Sequence, residues 1–345
     1  MNITIIGAGA IGGVIGAYLI KEGREATFCD INEEHVNQIN KNGLQIEGPL
    51  DSFLVKAKAV TPTELLHGNR QIDILFLCVK AQHTEEALKP LAPLLTKDSI
   101  VVSLQNGLNE LKIAELVGKE RTMGCFVNFS ADYLEPGKIL YGGVASLYLG
   151  ELDGTFSPRL IKLQEILQSW GPIEVTDNIW GYLWGKLSYA GLLFATALVD
   201  ETMASVVRNE QYRETLLELC TEIIELAHKE NITPLGFDGW TPDLIYPREN
   251  RNDVVLNEAL EKLAQSMATN KKTKSGIWRD LAIRKRKTEI DAQLVPLIDI
   301  AKKHGLAMPL TEELIKQIKE IENGTRKMSE KNLQELQGKY ILGVI

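Results

Sequence analysis

Between Asp177 and Asp200 the chain carries one charged side chain, Lys186, inside the apolar run N-I-W-G-Y-L-W-G-K-L-S-Y-A-G-L-L-F-A-T-A-L-V. The run has the length and composition of a helix, and one so apolar is expected to be buried. Taking an isolated ammonium out of water costs several kcal/mol, and the usual relief is a lowered pKa or a bound anion. A lysine held in that way is suited to proton donation in catalysis. The run is also long enough to raise the question of a membrane span. A central lysine, three glycines, a serine and no second such run argue instead for a helix buried in a core or an interface.

A second constellation stands at the start of the chain. Residues 7 to 12 read G-A-G-A-I-G and follow the short β-rich run Ile3 to Ile6. Glycine at positions 7, 9 and 12 permits a tight turn and a close approach of backbone to a pyrophosphate, which then sits on the helix N-terminus at Ala10 and Ile11. The competing reading is a packing turn without a ligand. Asp30 closes the next strand-like run, E-A-T-F-C-D, about 20 residues after the glycines, where an acid accepts hydrogen bonds from an adenosine ribose. It also repels a 2′-phosphate, no arginine follows at Ile31 or Asn32, and His35 is the nearest candidate cation. Asp30 therefore favours NAD(H) over NADP(H); alternatively it is the N-cap of the helix beginning near Asn32.

Two more strand ends face the same edge if the sheet is parallel. In C-V-K-A-Q-H-T, Lys80 is either a phosphate or ribose contact or a solvated loop lysine. In S-L-Q-N-G-L, Asn106 either orients a carboxamide or substrate or is a turn residue ahead of Gly107.

The elements that must hold these residues fall into two halves. In the first, strand-like runs (3–6, 26–29, 74–79, 100–103) alternate with helical segments starting near Ala10, Glu33, Thr84 and Asn109. That alternation predicts an α/β domain, a doubly wound parallel Rossmann sheet, over residues 1–177. Shorter runs at 123–129, 139–141 and 145–149 read as added strands. From Ile179 the apolar spacing becomes helical throughout, predicting an all-helical substrate and dimerisation domain at 178–330 and a tail at 331–345. The stretch 234–252, with three prolines and Phe237, Trp240 and Tyr246, reads as an ordered loop serving as a lid or interface element.

Composition narrows the function. With 345 residues and 44% hydrophobic content the chain is large enough for two cores, and a net charge of −8 argues against nucleic acid and anionic membranes as partners. Cys29, Cys78, Cys125 and Cys220 are scattered, which predicts reduced thiols in a cytoplasmic protein and no metal site. The apolar helices exceed what one small domain buries, which predicts a homodimer.

Taken together, M-N-I-T-I-I-G-A-G-A-I-G, G-L-Q-I-E-G, C-V-K-A-Q, L-Q-N-G-L, D-N-I-W-G-Y-L-W-G-K-L, K-T-E-I-D and H-G-L-A-M-P resemble the ketopantoate reductase (2-dehydropantoate 2-reductase) family over nearly the whole chain. The resemblance implies a Rossmann domain followed by a helical domain of the 6-phosphogluconate dehydrogenase type. It also implies NAD(P)H-dependent reduction of a 2-oxo acid, as in pantothenate biosynthesis, and leaves NADP(H) open. On that pattern Lys186 is the proton donor, Asn106 a cofactor and substrate contact, and Glu289 an active-site partner. Taken by itself, Glu289 reads as an exposed helix acid paired with Lys285 or Arg286.

The chain also departs from the family. Asparagines that follow the family lysine by four and eight residues are here Ala190 and Phe194, and a later one is absent near Ala204. The pocket is then either more apolar or gripped from elsewhere. Ser275 is the nearest match to a family serine. Arg279 is a candidate carboxylate clamp, and Arg284 to Lys287 read as a solvated helix face. A straight helix would hold Ser275 about 21 Å from Glu289, so Ser275 and Gly276 are expected in a loop or N-cap. Besides 2-oxo acid reduction, two readings remain: an opine- or hydroxyacid-type dehydrogenase with a more apolar substrate, and a non-catalytic NAD(H) sensor using Trp240 and its loop for partners.

Overall fold

The computed structural model describes residues 1–49, 51–269 and 272–344. The chain divides into two compact units, Met1–Ile179 and Trp180–Ile345.

Consecutive apolar residues mark strands buried on both faces. Ile3–Ile6 (β1) is buried along its whole length, as is Thr122–Val127 (β8). Between them in sequence come Ala26–Cys29 (β2), Leu44–Glu47 (β3), Phe53–Val55 (β4), Lys58–Val60 (β5), Ile72–Leu77 (β6) and Leu95–Ser103 (β7). Ala131–Glu135 (β9), Lys138–Tyr141 (β10), Leu147–Glu151 (β11) and Glu174–Val175 (β12) complete the strands. An eight-stranded sheet runs in the order β12-β11-β8-β7-β6-β1-β2-β5, parallel throughout except where β11 pairs with β8. The chain leaves β1 toward β2 on one side and returns at β6 on the other, so the carboxyl ends of β1 and β6 flank the topological switch point.

The helices of this unit are Ala10–Lys21 (α1), Glu33–Asn42 (α2), Pro62–His67 (α3), Thr84–Leu88 (α4), Asn109–Val117 (α5) and Pro158–Leu167 (α6). A second sheet, β4-β3-β10-β9, was not expected from the sequence. Residues 139–141, read as an added strand, belong to it as β10. Ile46, Ile139 and Tyr141 of this sheet share one core with Val14, Leu19 and Phe28.

The second unit takes up Ile179–Thr196 (α7), Met203–Arg208 (α8), Glu210–Lys229 (α9), Asp253–Thr269 (α10) and Gly276–Ala282 (α11). Ile290–Gln293 (α12), Val295–Lys303 (α13), Pro309–Glu322 (α14) and Glu330–Val344 (α15) follow. Residues 331–344 are therefore no tail. Leu333 and Leu336 of α15 are buried, and Tyr212 donates to Glu330 across 3.0 Å. Most apolar residues of α7 and those of α9 are likewise buried within the chain, while Val254 and Val255 of α10 are exposed. Among the described residues no helix is long and apolar enough to cross a membrane.

The stretch 234–252 is ordered and packs into the second unit. Phe237, Trp240 and Ile245 are buried, the first two closing a short hairpin through Phe237 N–H to Trp240 O and Trp240 N–H to Phe237 O. Arg248 and Arg251 tie its far end to Glu218 on α9 at 2.8 and 2.7 Å. Trp240 itself is 3% exposed, so its ring packs inside the chain.

Candidate active site

Gly7 has φ +93°, a conformation that favours glycine, and an added Cβ would lie 3.0 Å from the backbone of Cys78 and Val79. At Gly12 a Cβ would come 2.1 Å from the carbonyl oxygen of Gly7, so α1 can start this close to β1 only without a side chain. Gly9 differs from both. It is the N-cap of α1 with no side-chain cap, and a Cβ there would meet nothing within 4 Å. The first N–H groups of α1, at Ala10 and Ile11, thus begin beside open space at the positive end of a helix.

The residue between the glycines is held by two side chains. Ala8 N–H donates to Asp30 Oδ2 at 2.8 Å, and Ala8 O accepts from His35 Nε2 at 2.9 Å. His35 is buried, and its Nδ1 accepts the Gly137 N–H at 2.9 Å from the β9–β10 turn. Nδ1 as acceptor fixes the tautomer, and a ring so enclosed offers no cation to a phosphate. The expectation that His35 is the nearest cation is thereby corrected. Asp30 is not the helix cap either: Asn32 caps α2, accepting from His35 N, while Asp30 Oδ1 accepts from Asn32 N at 2.9 Å. Each Asp30 oxygen keeps a lone pair for a further donor. Ile31, next in sequence, is 86% exposed.

Lys80 and Asn106 are half-buried on the loops leaving β6 and β7. Gln105 joins these loops, donating to Val79 O at 2.8 Å and to Thr84 Oγ1 at 2.9 Å. Thr84 bonds Asn109 Oδ1, whose amide donates to Asn106 O at 2.6 Å. Sequence reasoning missed Gln105, Thr84 and Asn109, although L-Q-N-G-L contained the first. Bare glycine, an uncapped helix start, a carboxylate and a lysine at one sheet edge fit a nicotinamide dinucleotide, with its pyrophosphate over Gly9.

In the second unit Lys186 sits midway along α7 and is half-buried rather than buried. The 234–252 segment braces this helix. Leu235 N donates to Gly181 O at 2.8 Å, and a Cβ on Gly185 would lie 2.1 Å from Leu235 O. Trp240 Nε1 donates to Ser188 Oγ at 3.0 Å, and Ser188 Oγ donates to Gly185 O at 2.7 Å. The substituted family positions, Ala190 and Phe194, are both buried, Phe194 completely.

Ser275 caps α11, the N-cap position expected of it, accepting from Trp278 N at 3.1 Å, and is 6% exposed. Trp278 Nε1 in turn donates to Asp200, past the end of α7. Arg279 is half-buried on α11, while Arg284 to Lys287 are exposed, with Arg284 and Arg286 bonded to Asp280. Glu289 is half-buried at the N-cap position of α12. It follows Thr288, whose N–H and hydroxyl both donate to Glu322 at 2.7 and 2.6 Å.

The family model described as ketopantoate reductase PanE/ApbA matches residues 3–154, and the model of its C-terminal part matches residues 178–322. The chain belongs to the ketopantoate reductase family. A 2-dehydropantoate 2-reductase of Pyrococcus horikoshii is 29% identical over 90% of this chain and 94% of its own. Among solved structures, a ketopantoate reductase of this family from Ralstonia eutropha is 24% identical with a TM-score of 0.78, covering 94% of this chain and 99% of its own. A D-mandelate dehydrogenase, solved with NADH and anilino(oxo)acetate, is 25% identical at the same TM-score and the same coverage. Within this ketopantoate reductase family fold, the parallel sheet of the first unit carries the glycine turn and the helical second unit carries Lys186.

Proposed function

We propose that the chain reduces a 2-oxo acid to the 2-hydroxy acid with a nicotinamide dinucleotide, NADH in preference to NADPH. The observation that carries this reading is Gly9: a bare α carbon facing open space at an uncapped helix start, beside Asp30. When bound, the cofactor supplies a hydride to the keto carbon. The N–H groups of Ala10 and Ile11 hold the pyrophosphate, Asp30 the adenosine ribose, and Lys80 and Asn106 the parts nearer the nicotinamide. Lys186 stabilises the charge that gathers on the keto oxygen and gives it a proton, so that C=O becomes CH–OH. Glu289 holds the lysine or a substrate hydroxyl, and Arg279 pairs with the substrate carboxylate.

Three local features support NADH. Asp30 repels a 2′-phosphate, exposed Ile31 offers it no charge, and His35 is spent on Ala8 and Gly137. The similar D-mandelate dehydrogenase, solved with NADH, agrees with them. Burial pushes the thiols of Cys29 and Cys220 up to about 12, which keeps them protonated and unreactive.

The test is steady-state oxidation of NADH and NADPH with a panel of 2-oxo acids, comparing wild type with Lys186→Ala. The expected outcome is a kcat lowered about 10²–10⁴-fold with the Kd for NADH unchanged. An unaltered kcat would remove Lys186 from the chemistry. A higher kcat/KM with NADPH would overturn the cofactor assignment. Adding amines to the panel separates the opine-type alternative.

A further inference from the structure

The accessible side of α7 determines what can lie beside Lys186. From Leu183 to Ala195 every residue is buried except Lys186, Tyr189 and Leu193, and Tyr182 continues the half-buried series one turn earlier. Positions 182, 186, 189 and 193 are spaced four, three and four, which is one face of a helix. At 1.5 Å per residue, Tyr189 lies about 4.5 Å and Leu193 about 10.5 Å along the axis from Lys186. The neighbours of Lys186 on its open face are therefore Tyr189 and Leu193, not Ala190 and Phe194.

That face holds one charge, two phenols and a leucine. The remaining hydroxyl nearby, Ser188, is buried and bonded to Gly185 O and Trp240 Nε1. Tyr189 is also fixed in place. Its ring centroid lies 5.8 Å from Phe237 at 81° and 5.3 Å from Trp240. Burial pushes its phenol up to about 12, so it remains neutral. The faces of this rigid, uncharged ring and the neighbouring Leu193 suit a hydrocarbon group, and the polar atoms of the helix face are the Lys186 ammonium and the hydroxyls of Tyr182 and Tyr189.

Building on the proposed 2-oxo acid reduction, we propose that the substrate carries an apolar group, aryl or branched alkyl, on its keto carbon, and that this group rests on Tyr189 and Leu193. These two residues then set specificity, while Lys186 remains the proton donor. An apolar wall discriminates modestly: it rejects an isostere that merely adds a hydroxyl by up to about 100-fold, whereas a site built to bond that hydroxyl rejects the analogue lacking it by about 10⁴-fold or more. The direction and size of the preference therefore report which kind of wall is present.

The informative pair is ketopantoate and 3,3-dimethyl-2-oxobutanoate, which differ only by one hydroxyl, with phenylglyoxylate as the aryl probe. With NADH and the full-length protein, kcat/KM for the two apolar acids should exceed that for ketopantoate by at least about tenfold. Leu193→Asn should cut that ratio at least about fivefold without altering the Kd for NADH, which checks that the variant is folded. Tyr189→Phe should keep the preference and Tyr189→Ala should lose it. Binding of phenylglyoxylate to the NAD⁺-loaded protein, followed by calorimetry, should weaken in parallel.

A ketopantoate rate equal to or above that of 3,3-dimethyl-2-oxobutanoate would overturn the inference and leave 2-oxo acid reduction standing. A ratio unmoved by Leu193→Asn and Tyr189→Ala would overturn the assignment to this face. Absence of turnover with every 2-oxo acid, despite NADH binding, would overturn the reductase reading and this inference with it.

Discussion

Three glycines that look interchangeable in G-A-G-A-I-G have separate physical duties, and substitution tells them apart. Gly12→Ala drives a methyl against Gly7 O and is expected to destabilise the protein by about 1–3 kcal/mol in urea denaturation. Gly9→Ala has room for its methyl and should melt like wild type, yet lose at least about tenfold in NADH affinity, about 1.4 kcal/mol, by calorimetric titration. If both variants lost stability alike, Gly9 would be a packing residue. His35 acts one step behind the turn, holding Ala8 in concert with Asp30. His35→Gln can still offer a donor to Ala8 O and an acceptor to Gly137 N–H. It should keep NADH affinity within about threefold, whereas His35→Ala, which leaves buried partners unsatisfied, should cost about 1–3 kcal/mol of stability and weaken NADH binding. Asp30 and the glycines were legible because their chemistry is local. The His35 link was not, since its second partner lies 102 positions away, at Gly137.

Helix α7 illustrates what an element adds to its residues. A glycine inside a helix is ordinarily unfavourable by about 1 kcal/mol relative to alanine. At Gly185 the sign should reverse, because a Cβ would lie 2.1 Å from Leu235 O. Gly185→Ala is expected to cost a net of about 1–3 kcal/mol, seen as a lowered Tm, and to loosen the brace that carries Phe237 and Trp240. A raised Tm would show that the brace yields easily. The sequence identified Lys186 and its apolar helix, but not the rotation of that helix about its axis. Counting by four from the lysine selects Ala190 and Phe194; burial selects Tyr189 and Leu193. The helix phase depends on what packs behind it, here Leu235 to Trp240, some 50 residues downstream, which no local pattern announces. The same reasoning explains the missed sheet. β10 was read as a strand, but the residues it pairs with, Gln45 to Glu47 of β3, lie far upstream in the chain.

For the molecule as a whole, stability should depend on pH through Glu222. Its carboxylate is buried on α9 and accepts from Leu310 N, Thr311 N and Thr311 Oγ1 at 2.9, 2.8 and 2.7 Å, closing the start of α14. Burial outweighs those three donors and pushes it up to about 7 from an ordinary 4.5. A raised carboxyl favours folding most when protonated, so its contribution is complete below pH 4.5 and is lost as pH rises through 7. The difference is of order 3 kcal/mol. Melts of wild type and Glu222→Gln across pH 4.5 to 8 should show the variant gaining relative to wild type as pH rises; parallel curves would assign the pH dependence elsewhere. The alternation of strand and helix made the Rossmann half readable, and the helical spacing after Ile179 made the second half readable as a class. A residue such as Glu222 was invisible because its significance depends on meeting Thr311 across 89 positions. One consequence of the braced helix is optical. Trp240 sits in a buried, hydrogen-bonded niche with the Tyr189 ring 5.3 Å away, close enough for light absorbed by the tyrosine to pass to the indole. A ligand settling on Tyr189 is expected to change the Trp240 share of the emission, which a Trp240→Phe variant would separate from that of the four other tryptophans.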